Sequence, residues 1–256
     1  MSHLEMHVFL CLSDNIGCLV HDHKTGATAA IDAPDGEAVE RELRKRGLQL
    51  THILVTHHHA DHTDGIPFLK DRYGCRVTGP KAEAEKIKGL DTLVAGGDSF
   101  AFAGRDVHVI DTPGHTAGHI AYHIPAEYSL FAGDTLFALG CGRVIEGTMD
   151  QMHESLGKLK RLQPHTHLYC GHEYTEANAR FALSVEPGNR DLQQRAVAVA
   201  ETRAQGRLTV PSTMGEEVKT NPFLRDDIAE ISQVLNMGEA TDAEVFAEVR
   251  RRKNSF

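Results

Sequence analysis

The chain has 256 residues, of which 41% are hydrophobic and 25% are charged, so it can bury a sizeable core. Its formal net charge of −9 argues against a broad nucleic-acid surface, because neutralising phosphates requires clustered lysine and arginine. No stretch approaches the roughly 20 apolar residues that span a bilayer, which argues against a membrane protein.

The cysteines and the N-terminus bear on the cellular compartment. The N-terminus lacks a basic segment followed by a long apolar one, so we expect no signal peptide. An odd number of scattered cysteines without a C-x-x-C pair predicts no disulfide framework. We therefore expect a cytoplasmic monomer with a small-molecule substrate and no nucleic-acid or membrane partner. The five cysteines are Cys11, Cys18, Cys75, Cys141 and Cys170.

The first two thirds of the chain are predicted to form two groups of strands flanked by helices. Apolar runs bounded by Gly, Pro, Asp and Ser predict strands at 6–12, 16–21, 27–31, 51–56, 76–79, 99–103, 107–111, 119–124, 129–132 and 167–170. Apolar residues at helical spacing predict helices at 37–46, over about ten residues around Ile66, Phe68 and Leu69, and at 149–162. This pattern predicts an α+β fold in which residues 1–173 form an αββα sandwich.

The composition changes after residue 173. Residues 175–206 are rich in Ala, Glu, Arg and Gln, and residues 226–253 are again helical in composition. Between them, residues 210–223 contain two prolines and are predicted to be irregular. We therefore predict a separate all-helical domain over residues 174–256.

The stretch Thr56-His57-His58-His59-Ala60-Asp61-His62 follows a predicted strand and contains five residues that can bind a metal. Because strand side chains alternate, His57 and His59 share a face and His58 points away. Asp61 and His62 fall just past the strand end, where a turn can bring them to the same point. Such nitrogen and oxygen ligands suit zinc, iron or manganese. The competing interpretation is an incidental histidine-rich surface turn.

Three further strand ends carry candidate ligands, and this recurrence weakens the surface-turn interpretation. They are His115 in a Pro-Gly turn, Asp134 after an apolar strand, and His172 after the last strand. Seven ligands fit two metals better than one, and Asp134 can bridge because a carboxylate has two oxygens. One metal would be held by His57, His59 and His115, and the other by Asp61, His62 and His172.

These motifs resemble the metallo-β-lactamase superfamily. They are Thr-His-x-His-x-Asp-His, Thr-Pro-Gly-His-Thr, Ala-Gly-Asp-Thr and Gly-His-Glu-Tyr, in this order. Within the superfamily the chain is similar to glyoxalase II, the hydroxyacylglutathione hydrolases. That similarity extends through the segments 140–143, 146–148, 185–189, 209–213 and 221–223 and the helical tail.

The resemblance implies hydrolysis of S-D-lactoylglutathione to glutathione and D-lactate, the second step of methylglyoxal detoxification. It implies two divalent metal ions, with zinc expected first and iron or manganese as alternatives. Asp61 and Asp134 would belong to the catalytic centre. A metal can lower the pKa of bound water to about 7, so a metal-bound hydroxide would be the nucleophile and no other base is needed.

The resemblance also implies a glutathione site. A simpler explanation for the cations near the C-terminus is that they complement the dipole of the last helix. One departure from the family is Ile145, where an aromatic residue is usual. We expect Cys141 to be no nucleophile and His119 to be structural. The implied glutathione contacts are Arg143, Tyr174, Arg250 and Lys253.

The leading alternative is a glutathione persulfide dioxygenase of the same superfamily, which uses one iron. Such an enzyme would resemble only the sandwich, whereas this chain has the helical tail. A lactam hydrolase would be exported, and a superfamily nuclease would need a basic surface. A metal-binding or interaction module without catalysis would not require ligands for two metals.

Overall fold

The structure is a computed structural model that describes residues 4–256 and contains two compact units. The first unit contains the described residues up to Asp111 together with Thr116–Gly133. The second contains Thr112–His115 and Asp134–Phe256. The predicted domain 1–173 begins with three residues that lie outside the described part. Its boundary at residue 173 follows sequence character and stays a prediction.

The first unit begins with a six-stranded sheet whose strand order follows the sequence. Its strands are Glu5–Cys11 (β1), Asn15–His21 (β2), Thr28–Ile31 (β3), His52–Leu54 (β4), Arg76–Pro80 (β5) and Thr92–Val94 (β6). The first three strands pair antiparallel, as predicted, and β3 to β6 pair in parallel. β6 was not predicted, because three residues give too short an apolar pattern.

Three helices accompany this sheet, namely Gly36–Arg46 (α1), Ala60–Thr63 (α2) and Ile66–Tyr73 (α3). Asp35 caps α1 by accepting from the backbone N–H groups of its first turn. Gly47 ends α1 in the left-handed conformation at φ 67°, as the sequence predicts. Leu43 of α1 and Leu69 of α3 are fully buried in one core with Ile53 of β4. This core fixes the strand that leads into the histidine stretch.

Four further strands complete the first unit. They are Ser99–Phe102 (β7), Arg105–Asp111 (β8), Ile120–Ile124 (β9) and Ser129–Gly133 (β10). They pair antiparallel in the order β10-β9-β8-β7. Tyr122 of β9 is fully buried and donates its hydroxyl hydrogen to the Val55 carbonyl at 2.8 Å. These strands therefore face the first sheet, and the predicted sandwich is confirmed.

The second unit is mainly helical. Its helices are Met149–Lys160 (α4), Thr175–Val185 (α5), Arg190–Ala204 (α6), Met214–Thr220 (α7), Ala229–Leu235 (α8) and Asp242–Ser255 (α9). Its strands are Leu136–Phe137 (β11), Gly140–Cys141 (β12), His167–Cys170 (β13) and Ser212–Thr213 (β14). The helical tail is confirmed. Within residues 4–256, no helix is both long enough and apolar enough to cross a membrane.

The prediction of an irregular segment over residues 210–223 was wrong where α7 lies. Thr213 accepts from the backbone N–H of Glu216 at 3.2 Å, and the Glu216 carboxylate accepts from the backbone N–H of Thr213 at 3.1 Å. This reciprocal cap satisfies two donors at the start of the helix. Pro211 precedes the cap and does not interrupt the helix, so its presence in the segment misled the prediction.

Candidate functional site

The predicted ligands of the first unit lie together at the carboxyl end of β4. We call His57, His59, Asp61 and His62 the histidine group. The imidazole Nε2 of His57 lies 3.1 Å from Nδ1 of His59, and the rings of His57 and His62 are 4.1 Å apart. Nε2 of His62 lies 3.7 Å from Oδ2 of Asp61. The rings of His57 and His62 are buried, whereas Asp61 is partly exposed.

Asp32, the residue after β3, orients this group. Its carboxylate accepts from the backbone N–H and the hydroxyl of Thr56 at 2.7 and 2.9 Å. It also lies 2.8 Å from Nδ1 of His62, which places the imidazole proton on that nitrogen. Because the Thr56 hydroxyl donates to Asp32, its oxygen accepts from Nδ1 of His57 at 3.0 Å. In the neutral form of both histidines, Nε2 then carries a lone pair that can bind a metal.

Other contacts in the first unit hold Asp61 and the neighbours of the ligands. Asn15 donates from its amide to the carbonyl and to the carboxylate of Asp61, at 3.0 and 3.1 Å. His58 lies 2.9 Å from the Glu83 carboxylate, outside the histidine group, as the strand alternation predicted. His119 packs its buried ring 4.9 Å from that of His57.

The predicted ligands of the second unit meet at Asp134. We call His115, Asp134 and His172 the Asp134 group. Nε2 of His115 and Nε2 of His172 each lie 3.4 Å from Oδ2 of Asp134. Nδ1 of His115 lies 2.8 Å from the Arg143 carbonyl and donates to it, which leaves Nε2 of the neutral ring as the nitrogen that can bind a metal. All three side chains are buried.

The donor chemistry of both groups fits a metal cation. In each group, imidazole nitrogens lie 3.1 to 3.7 Å from another nitrogen or a carboxylate oxygen. Atoms that bind one metal ion at about 2.0 to 2.2 Å lie about this far apart. The outer ring nitrogens of His57, His62 and His115 donate to oxygen atoms, which is the arrangement that metal-binding histidines adopt.

The predicted glutathione contacts all lie in the second unit, in different environments. Arg143 is exposed in the loop after β12, and Tyr174 stacks on the His172 ring at 4.8 Å with 39% of its surface exposed. Arg250 of α9 is only 3% exposed and donates from Nη1 to the Cys141 carbonyl at 2.7 Å. Its guanidinium therefore stabilises the loop that carries Arg143.

Lys253 lies one turn further along α9, where it is half-buried. Its ammonium donates to the Ala177 carbonyl at 3.2 Å and lies 5.2 Å from the Phe181 ring centre. Burial, with the nearby Arg250 and Arg180 charges, lowers the pKa of Lys253 to about 8. It is therefore a cation at pH 7 that loses its charge about two pH units earlier than an exposed lysine.

Two other residues singled out in the sequence, Cys141 and Ile145, differ in their exposure to solvent. Burial raises the pKa of the Cys141 thiol, which keeps it protonated at neutral pH and agrees with the expectation that it is no nucleophile. Ile145 is 59% exposed. It can offer apolar contact to a ligand but no hydrogen bond.

Sequence reasoning missed Asp32, Asn15 and Glu83. Asp32 had a detectable signal, because it follows strand β3, which is parallel to β4, and the ends of parallel neighbours lie side by side. The contacts of Asn15 and Glu83 join residues 46 and 25 positions apart in the chain. No local pattern encodes such contacts.

Comparisons with known proteins identify the family. Residues 25–172 match the metallo-beta-lactamase superfamily, and residues 173–256 match the hydroxyacylglutathione hydrolase C-terminus. The hydroxyacylglutathione hydrolase of Rhizobium meliloti (strain 1021) is 54% identical over 256 residues, which is 100% of both chains.

Solved structures agree on the fold. The B3 metallo-beta-lactamase BLEG-1 superposes with a TM-score of 0.66 at 21% identity, over 86% of this chain and 99% of that one. ETHE1 from Myxococcus xanthus superposes with a TM-score of 0.67 at 24% identity, over 98% and 99% of the two chains. At these identities the superpositions establish the fold alone.

The family and the two ligand groups together support binding of divalent metal ions. The match of the helical tail and the full-length relative do not favour the dioxygenase alternative. The chain belongs to the hydroxyacylglutathione hydrolase family, glyoxalase II, within the metallo-β-lactamase superfamily.

Proposed function

We propose that this enzyme hydrolyses S-D-lactoylglutathione and related 2-hydroxyacylglutathione thioesters, and that its seven predicted ligands hold two divalent metal ions. The observation that carries the metal proposal is the short spacing of ligand atoms within each group, where imidazole nitrogens lie 3.1 and 3.4 Å from other ligand atoms. Together these ligands comprise five imidazoles and two carboxylates, a set that suits zinc first and iron or manganese second.

The residues of the chain contribute orientation and charge. Asp32 keeps a proton on Nδ1 of His62, and the Arg143 carbonyl does the same for His115. Asp61 and Asp134 supply two negative charges that offset part of the charge of the metals. When bound there, divalent cations lower the pKa of a coordinated water and polarise a carbonyl oxygen. The thiolate of glutathione is a good leaving group, so the protein needs no strong general acid.

Glutathione carries two carboxylates, and cationic side chains of the second unit can pair with them. We assign direct contacts with it to Arg143 and Lys253, because Arg143 is exposed and Lys253 is half-buried. Tyr174 offers a partly exposed ring beside His172. We assign Arg250 an indirect part, since its Nη1 is occupied by the Cys141 carbonyl. Residues 174–256 would then form the glutathione-binding domain.

We further propose a cytoplasmic monomer. All five cysteines are buried and unpaired, as expected in a reducing compartment. Sedimentation at working concentrations measures the oligomeric state.

Removal of the metals tests the proposed chemistry. We expect purified protein to contain close to two metal ions per chain and to hydrolyse S-D-lactoylglutathione, measured as loss of thioester absorbance. Dialysis against a chelator is expected to abolish hydrolysis, and added zinc should restore it, because the metals supply the nucleophile. Undiminished hydrolysis by metal-free protein would contradict the proposal. Oxygen uptake on glutathione persulfide in place of hydrolysis would also contradict it.

Lys253 gives the proposed glutathione site a pH dependence. With a pKa of about 8, Lys253 is a cation at pH 7. At pH 9 only about 10% of it keeps its charge. We therefore expect KM to rise up to about tenfold between pH 7 and pH 9. The amino group of glutathione titrates in the same range, so the readout is the difference from Lys253→Arg, which stays charged. Identical pH profiles would refute a role for the Lys253 charge in binding.

A further inference from the structure

We infer that Glu83 is a positioning residue for the histidine group, an inference that rests on the proposed metal site. Glu83 is only 2% exposed and lies in a short helical turn, Lys81–Glu83, after β5. Its Oε2 accepts from the backbone N–H of His58 at 2.7 Å and lies 2.9 Å from Nδ1 of the same residue. His58 stands between His57 and His59, so Glu83 holds the backbone that carries both ligands.

The other carboxylate oxygen of Glu83 binds a second segment. Oε1 accepts from the hydroxyl of Thr116 and, at 2.9 Å, from the backbone N–H of Gly118. A methyl group at Gly118 would lie 2.6 Å from Cγ of Glu83, so this turn approaches the carboxylate as closely as glycine allows. Glu83 thus joins the histidine stretch to residues 116–118 of the same unit.

The bonding pattern suits a carboxylate better than an amide. Three donors point at Glu83, namely the backbone N–H of His58, the Thr116 hydroxyl and the Gly118 N–H, and Nδ1 of His58 adds a fourth in the tautomer that carries its proton there. A carboxylate can accept about four hydrogen bonds, whereas the amide of glutamine accepts only about two and adds two donors. Glu83→Gln therefore preserves the shape of the side chain but sets its NH₂ group against a backbone N–H, that of His58 or that of Gly118, which cannot accept a hydrogen bond.

This backbone needs such a partner because it lies beyond the regular sheet. β4 ends at Leu54, and α2 begins at Ala60. The intervening residues have neither strand nor helix geometry. A buried, fully bonded carboxylate at His58 fixes the middle of this stretch, and with it the spacing between the imidazoles on either side.

The test measures metal affinity in Glu83→Gln and in the matched control Glu85→Gln, which changes an exposed glutamate two residues away. A chromophoric chelator competes for zinc, and the visible spectrum of the cobalt-substituted protein reports ligand geometry. We expect zinc affinity to fall about 10- to 100-fold in Glu83→Gln, as for other residues that orient metal ligands. The cobalt spectrum should change as well. Excess metal should restore kcat with KM unchanged, and the control should match the wild type.

Wild-type zinc affinity together with an unchanged cobalt spectrum in folded Glu83→Gln would overturn the inference. If Glu83→Gln does not fold, Thr116→Val is used instead, because it removes one of the groups that donate to Glu83. Wild-type zinc affinity in Thr116→Val would then overturn the inference. Wild-type protein that binds no zinc would instead refute the proposed metal site itself.

Discussion

Replacement of Asp134 with alanine is expected to reduce kcat/KM by about 10³-fold, which corresponds to about 4 kcal/mol of transition-state stabilisation. Asp134 is the common partner of His115 and His172, each of which approaches the same carboxylate oxygen at 3.4 Å. Its removal takes away the negative charge at that meeting point. The change is measured with S-D-lactoylglutathione and zinc in excess.

Two further variants separate charge from fold. Asp134→Asn keeps the shape of the side chain and removes its charge, so we expect a loss close to that of alanine. Asp106→Ala removes an exposed carboxylate from β8 and should leave hydrolysis unchanged. Metal content per chain is determined on each sample, and we expect it to fall below two for both Asp134 variants. Full activity in Asp134→Ala would remove this residue from the proposed metal site.

The predicted ligands could be found from sequence because their signal is local. His57 and His59 follow a buried strand, and alternation along an extended chain places them on one face. Asp134 and His172 also follow short buried strands, β10 and β13. In the structure, His57 and His59 lie together in the first unit, and Asp134 and His172 lie together in the second.

Two of the residues that hold those ligands could not be found in the same way. Asn15 and Glu83 act through hydrogen bonds to residues that lie 25 to 46 positions away in the chain. The burial of Arg250 depends on a contact with Cys141 across 109 positions. The sequence of a helix end is the same whether its arginine is exposed or buried. The burial of Arg250 could therefore be learned only from the structure.

Short elements were the other source of error. β11, β12 and β14 have two residues each, too few for any periodicity. α7 has seven residues, and the prolines beside it outweighed its capping signal. The position of α7 is important for the fold, because this helix carries Glu217, which accepts a hydrogen bond from Leu139 in the turn between β11 and β12.

Replacement of Glu217 with alanine is expected to lower the free energy of unfolding by about 3 to 5 kcal/mol, the range for breaking a buried ion pair. Glu217 is fully buried and is paired with the guanidinium of Arg195 on α6. It also accepts from the Ser212 hydroxyl at 2.6 Å and from the backbone N–H of Leu139 at 2.8 Å. Alanine would leave these donors buried without an acceptor.

The effect should extend beyond stability, because Leu139 lies in the turn that leads into the loop of Arg143. Leu139 adopts a positive φ of 59°, which is strained for leucine, and its N–H bond to Glu217 stabilises that conformation. We therefore expect Glu217→Ala, where it remains folded, to raise KM as well. Urea unfolding of Glu217→Ala and of Glu201→Ala, an exposed glutamate on α6, measures the difference. A loss below about 1 kcal/mol, no more than an ordinary hydrogen bond contributes, would show that water or rearranged side chains replace the carboxylate.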